Sequence, residues 1–215
     1  MGGVISNCIY LGKGLVFTLE LTMGGIIIGL TLGVLLSVLR YCRICVPLVK
    51  GWSSVVRGTP LILQLSIIYF SVPGLVGVKL DMLSAGVIAF GLNSSAYMAE
   101  IFRSGIESLP KGQFEAAQTL GISNFYMWRD IILPQVVKNI LPALVNEVIA
   151  LLKETTLISV IGGMDVMRRS QIVAAEQFEY FMPLCIAGAY YYCMAMLIEF
   201  VGEKIEQRIS YAKNP

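Results

Sequence analysis

Glu115-Ala116-Ala117-Gln118-Thr119-Leu120-Gly121, with Leu133-Pro134 downstream, is a short polar segment set between strongly apolar ones. Glu115 to Leu120 favours helix, with the glutamate near the positive N-terminal end. Ala116 and Ala117 offer a small, flat surface that another protein can approach closely. Gly121 suits a C-terminal stop. Ser123 is placed to cap the next short helix, in which Phe125, Trp128 and Ile132 suit an interface, and Pro134 is expected to end or bend it. Docking of a partner outside the membrane and an ordinary interfacial helix both fit these residues.

The rest of the chain is built for lipid. Of 215 residues, 56% are hydrophobic and only 14% charged, against about 25% charged in soluble domains. Mean hydropathy is +0.75. This is the composition of a polytopic membrane protein. A net charge of +2 gives no basis for nucleic-acid binding. Histidine is absent, which removes the commonest metal ligand and general base. Cys42 and Cys45 form a C-x-x-C without a second pair at zinc spacing, so no metal site is expected. With no Ser-base or Cys-His constellation either, the chain is not expected to be an enzyme. Met1 to Leu11 lacks a basic start and the apolar run continues, so no cleavable signal peptide is expected.

Five segments reach the roughly 20 apolar residues needed for a spanning helix. They run from about Leu15 to Leu39, Ser53 to Val72, Met82 to Phe102, Ile140 to Val160, and Phe181 to Gly202. With the N-terminus outside, the inner face holds Arg40, Arg43, Lys50, Arg57, Arg103, Lys111, Arg129, Lys138, Lys204, Arg208 and Lys213. The outer face holds Lys13, Lys79, Lys153, Arg168 and Arg169. The excess of basic residues inside sets the orientation and puts the Glu115 segment, in a loop of about residues 104–139, in the cytoplasm. Gly25, Gly29 and Gly33, four apart in the first span, suit close helix contact. The fold class is therefore all-α, with five transmembrane helices in one transmembrane domain spanning residues 1–215. A pathway between two copies is more natural than an inverted repeat within five spans.

The stretch Glu115-Ala116-Ala117-x-x-x-Gly121 with Leu133-Pro134 resembles the EAA loop of ABC importer permeases. More narrowly, the chain resembles the polar amino-acid permease family. Its signature is matched by Ala96-Tyr97-x-x-Glu100-Ile101-x-Arg103-x-Gly105-Ile106 and by Gly112-Gln113-x-Glu115-Ala116-Ala117. Arg57-Gly58-Thr59-Pro60-Leu61 and Lys153-Glu154-Thr155-Thr156-Leu157 match as well, the latter with Thr156 where serine is usual. The likeness runs from about Gly14 to Ser210. It implies the type I importer permease fold, in the cytoplasmic membrane of a bacterium. It implies a second permease copy or homologous subunit, an extracytoplasmic solute-binding protein, and an ATPase docked on a coupling helix through Glu115, Ala116, Ala117, Leu120 and Gly121. The chain has no phosphate-binding Gly-rich loop with Lys-Ser/Thr, so no cofactor is expected on it. ATP and Mg are expected on the separate ATPase chain.

Ionisable and polar residues inside the membrane are costly and mark candidate sites. Glu147 and Glu154 are seven apart, on nearly one helical face. Asn93 lies ~15 Å above the inner surface, near the midplane. Asn93, Tyr97 and Glu100 follow i, i+4, i+7. The expected substrate site lies between the third and fourth spans. Glu154 would meet a cationic side chain or the α-ammonium, with Glu147 on the same face, and Asn93, Ser94, Ser95 and Tyr97 would hydrogen-bond the rest. Unpaired carboxylates favour basic amino acids, though an ammonium is common to all. The same residues allow two other readings: Glu154 paired with Lys153 or Arg168 and the Asn/Ser cluster as interhelical glue, or an ion-coupled secondary transporter relaying protons through Glu147 or Glu154.

Overall fold

The computed structural model describes residues 2–211; Met1 and residues 212–215, among them Lys213 of the inner-face count, lie outside the described residues. Helix α1 (Gly2–Gly12) turns at Lys13-Gly14 into the long α2 (Leu15–Tyr41). Next come α3 (Val46–Gly58) and α4 (Leu61–Ser66), which continues through a π-helical turn, Ile67–Ser71, into α5 (Val72–Val76). Helix α6 (Met82–Glu107) crosses back. The loop that follows carries α7 (Lys111–Thr119) and the short α8 (Asn124–Tyr126). A π-helical turn, Met127–Ile132, leads into α9 (Leu133–Glu154) and then a 3-10 segment, Thr155–Ile161. Helices α10 (Val166–Gln177) and α11 (Phe181–Tyr211) close the chain.

The expected spans are present, but not all as straight rods. Within the described residues, three continuous stretches are long and apolar enough to cross a membrane: Gly3–Tyr41, Met82–Glu107 and Phe181–Ile209. The second expected span is a broken pair, Val46–Gly58 and Leu61–Val76, bent by 102°. Pro60 causes the break, because the residue before a proline is driven out of the helical region; Thr59 sits at φ −114°, ψ 143°. The fourth expected span is α9 with its 3-10 extension, which carries Lys138, Glu147, Lys153 and Glu154 and is not among those three stretches.

The glycine spacing in α2 does what it predicts. Helix α2 makes its most extensive contact with α6. A Cβ added at Gly33 would stand 2.5 Å from the Cβ of Met98, and one at Gly29 would stand 2.8 Å from the Cβ of Ser94. Around this contact lie three apolar clusters. Leu21, Leu65, Phe90, Leu151 and Ile158 form the middle one. Leu109, Ala117, Met127, Ile132, Val136 and Ile140 form one at the α7 end. Leu11, Val166, Val173 and Ala187 form one at the opposite end. The apolar side chains left exposed, such as Val16, Met23 and Ile27 on α2 and Leu197 and Phe200 on α11, suit a lipid or subunit boundary.

Two local expectations are corrected. Ser123 occupies the N-cap position of α8, but its side chain makes no capping hydrogen bond. Pro134 does not end a helix. It lies in the first turn of α9, where a missing N–H costs nothing, and the turn before it is the wider π form. At the opposite end, the fully buried Asp165 caps α10 by accepting from the Arg168 N–H at 2.7 Å. Its second oxygen accepts from the Tyr191 hydroxyl at 3.0 Å. Gly14 packs directly on its backbone, joining the start of α2 to this corner. Burial pushes the Asp165 carboxyl up to about 6.

Two predictions follow from this packing. Gly33→Ala should lower stability by about 1–3 kcal/mol through overpacking, read as a fall in unfolding temperature in detergent. Gly51→Ala, where nothing lies within 4 Å, should leave it unchanged or raise it. A Gly33→Ala protein as stable as the parent would contradict the close contact. Because the folded carboxyl of Asp165 titrates above its unfolded value, its contribution is present at about pH 4 and lost as pH rises through about 6. Stability should therefore fall by up to about 3 kcal/mol over that window, and Asp165→Asn should flatten the slope. An unchanged slope would remove Asp165 as its source.

Candidate functional site

Successive residues on a helix point about 100° apart, so Asn93, Ser94 and Ser95 reach three different neighbours. The Asn93 amide donates to Gln64 Oε1 of α4 at 3.3 Å. The Ser94 hydroxyl donates to Glu147 Oε1 of α9 at 2.8 Å. Ser95 accepts from the Trp52 indole N–H of α3 at 3.3 Å, while its own hydroxyl donates to the Leu92 carbonyl at 2.6 Å. All three serine and asparagine side chains are buried. The expected meeting of the third and fourth spans is thus made by Ser94 and Glu147.

Gln64 anchors the broken backbone beside them. Its amide nitrogen donates to the carbonyl oxygens of Val56 and Thr59 at 2.8 and 3.2 Å and to the Thr59 hydroxyl at 2.8 Å. These carbonyls lost their helical partners at Pro60, and at membrane depth such groups must be satisfied by the protein. The expectations from sequence include neither Gln64 nor Trp52. The available signal was a lone glutamine four residues after Pro60, inside an apolar run.

The other expected site residues lie apart from this network. Tyr97 is exposed and has no hydrogen-bond partner among the described residues. Asn93, Tyr97 and Glu100 therefore share no hydrogen-bond neighbour among the described residues. Glu100 instead accepts from Arg40 of α2 at 3.2 Å and from Arg103, which also reaches Glu107. These ion pairs tie the α7 ends of α2 and α6 together. Glu154 is half-buried and pairs with neither Lys153 nor Arg168 among the described residues. It lines an open hollow of about 380 Å³ with Ala150, Lys153, Thr156 and Leu157. Its position one helical face above Glu147 is kept by the continuous α9.

Helix α7 has two distinct sides. Ala117 is 2% exposed and packs into the cluster with Met127, Ile132 and Val136, so it is not available to a partner, contrary to expectation. Glu115, Ala116 and Gly121 are exposed, and Leu120 is 76% exposed. Gly121 takes φ +69° and ends the helix as its sequence predicts. Gln113 and Gln135 exchange two hydrogen bonds, at 3.1 and 2.7 Å, between α7 and α9. Phe114 packs edge-on to Trp128, and Trp128 to Tyr41 at the end of α2, with ring centres 6.2 and 4.7 Å apart. The helix is therefore an exposed handle fixed to α9 and α2.

Known proteins resemble this arrangement over nearly its whole length. Residues 25–211 match the family described as binding-protein-dependent transport system inner membrane component. The chain is 45% identical over 203 residues to the putative glutamine transport system permease protein GlnP of Rickettsia typhi, covering 94% of this chain and 93% of that one. It is 44% identical over 199 residues to the arginine transport system permease protein ArtQ of Bacillus subtilis, covering 92% and 91%. A solved structure described as an amino acid ABC transporter with histidines superposes with a TM-score of 0.87 at 36% identity, over 96% of this chain and 97% of that one. Such relatives do not favour an ion-coupled secondary transporter. The chain belongs to the family of binding-protein-dependent transport system inner membrane components and is a permease subunit, not an enzyme.

Proposed function

We propose that this permease carries polar L-amino acids, cationic ones above all, and is driven by a separate ATPase docked on the exposed side of α7. The observation that carries the proposal is the two-sidedness of α7, with Ala117 locked inward and Glu115, Ala116, Leu120 and Gly121 turned outward. The ATPase binds ATP and Mg and presses on this outer side. The Gln113–Gln135 pair and the Phe114–Trp128–Tyr41 contacts pass the displacement to α9 and α2. Helix α9 bears Glu147 and Glu154, so the same displacement re-aims the carboxylates that face the substrate. The excess of basic residues at the α7 end supports a cytoplasmic placement of that end and an outer N-terminus.

Glu20 supports a second permease copy or a homologous subunit. It is exposed on the same apolar stripe of α2 as Val16, Met23 and Ile27. A carboxylate facing lipid there is costly, whereas facing a partner across a watery path it is not. A solute-binding protein delivers the amino acid to the opposite end, in keeping with the family's description. The names of the relatives favour amino acids as a class, and glutamine and arginine proteins stand equally near. The preference for cations rests on Glu154, which has no basic partner among the described residues, with Glu147 on the same face.

Ala116→Tyr should weaken ATPase binding about thirtyfold, by ~2 kcal/mol, as at other interface hot spots. The unfolding temperature of the permease should not change, because the side chain is exposed. Retained ATPase in pull-down at parental affinity would contradict docking on this face. Glu154→Gln should lower arginine and lysine uptake about tenfold or more, with a smaller effect on glutamine. Parental uptake of both cations would sink the cationic site.

A further inference from the structure

We propose that the α7 end of the permease holds an anionic phospholipid, with its phosphate in a basic cavity and an acyl chain in the apolar slot beside it. The cavity has a volume of about 750 Å³ and lies among the ends of α2, α3, α6 and α7. Arg40, Arg43, Lys50, Arg103 and Lys111 line it against one lining carboxylate, Glu107. Arg40 and Arg103 are engaged with Glu100, and Arg103 also with Glu107. Arg43, Lys50 and Lys111 have no carboxylate partner among the described residues. Three unpaired cations in one hollow favour an anion.

The backbone adds to this. Val46 and Lys111, which open α3 and α7, both line the cavity, and neither helix has a side-chain cap on its first turn. Uncapped N–H groups and the positive end of the helix dipole attract phosphate oxygens. Arg43 and Cys45 hold φ of +58° and +50°, a left-handed conformation that side chains rarely adopt. That turn aims the α2–α3 connection so that both Arg43 and the start of α3 border the cavity.

A second hollow of about 250 Å³ shows why the anion is a lipid. Ser37, Tyr41 and Ile106 line both spaces, and Val38 and Trp128 complete the second. The exposed wall of this slot is mostly apolar and holds no cation, so it suits an acyl chain better than a free phosphate. A diacyl phosphate diester fills both at once, as expected for basic pockets between helices near the cytoplasmic surface. The occupied site would also touch Trp128, which packs on Phe114 of α7, so the lipid braces the coupling helix. Which leaflet supplies the lipid rests on the cytoplasmic placement of α7 proposed above; binding itself does not.

The test uses the permease–ATPase complex in nanodiscs of dioleoylphosphatidylcholine containing dioleoylphosphatidylglycerol, with retained lipid counted after detergent extraction. Because no transport is measured, the outcome is separate from that of the coupling proposal. The parent should retain phosphatidylglycerol over phosphatidylcholine, and Lys50→Gln with Lys111→Gln should cut this selectivity about tenfold or more. Both side chains are exposed, so the fold should be kept. Lys204→Gln with Arg208→Gln, basic residues outside the cavity, should leave selectivity unchanged. Neither inorganic phosphate nor sn-glycerol 3-phosphate should displace the lipid. Equal retention of the two lipids, unchanged selectivity in the Lys50/Lys111 variant, an equal loss in the Lys204/Arg208 variant, or displacement by either soluble phosphate would overturn the assignment.

Discussion

The close contact of α2 with α6 is the constraint from which the rest of the bundle takes its place. Between apolar helices in lipid there is no hydrophobic drive to associate, so dispersion and backbone proximity must supply it. Gly29 and Gly33 let α6 approach until Ser94 and Met98 lie against the α2 backbone. A Cβ at Gly25 would meet Leu151 of α9 at 3.1 Å and Phe90 of α6 at 3.3 Å. One stripe of absent side chains thus brings three helices together. With Ser94 pressed against Gly29, its hydroxyl is directed at Glu147.

The broken helix pair is the second consequence of living in lipid. Pro60 frees carbonyl groups at a depth where water cannot serve them, and Gln64 takes up both the carbonyls and the Thr59 hydroxyl. Asn93 in turn holds Gln64. Among the described residues, no buried side-chain nitrogen or oxygen lacks a partner. The polar groups at the centre are therefore satisfied, Gln64 by Asn93 and the Pro60 break and Glu147 by Ser94, while Glu154, farther along α9, has no basic partner among the described residues.

Much of this was legible in the sequence because the signals were local and periodic. Apolar length gave α2, α6 and α11, glycine spacing gave the α2–α6 seam, and Gly121 gave the end of α7. The fan of Asn93, Ser94 and Ser95 was not legible, since three consecutive polar residues reveal neither the identity nor the direction of their neighbours. Shared helical phase placed Tyr97 with Asn93, but phase fixes only one helix, and the surrounding helices left Tyr97 exposed. Ala117 shows the same limit. A flat Glu-Ala-Ala surface suggests contact on both alanines, yet the Leu109–Ile140 cluster claims Ala117 for the interior.

That division gives α7 one anchored side and one exposed side. Its inner side is bonded to α9 through Gln113 and Gln135, and its outer side is free. On the coupling proposed above, a motor seated on the exposed side would displace α9 and, with it, Glu147 and Glu154. The most direct measurement is amino-acid uptake into proteoliposomes containing the permease, its ATPase and its binding protein. Coupling through α7 predicts uptake with ATP on the motor side and none from a proton or sodium gradient alone. Uptake driven by either gradient without ATP would contradict it.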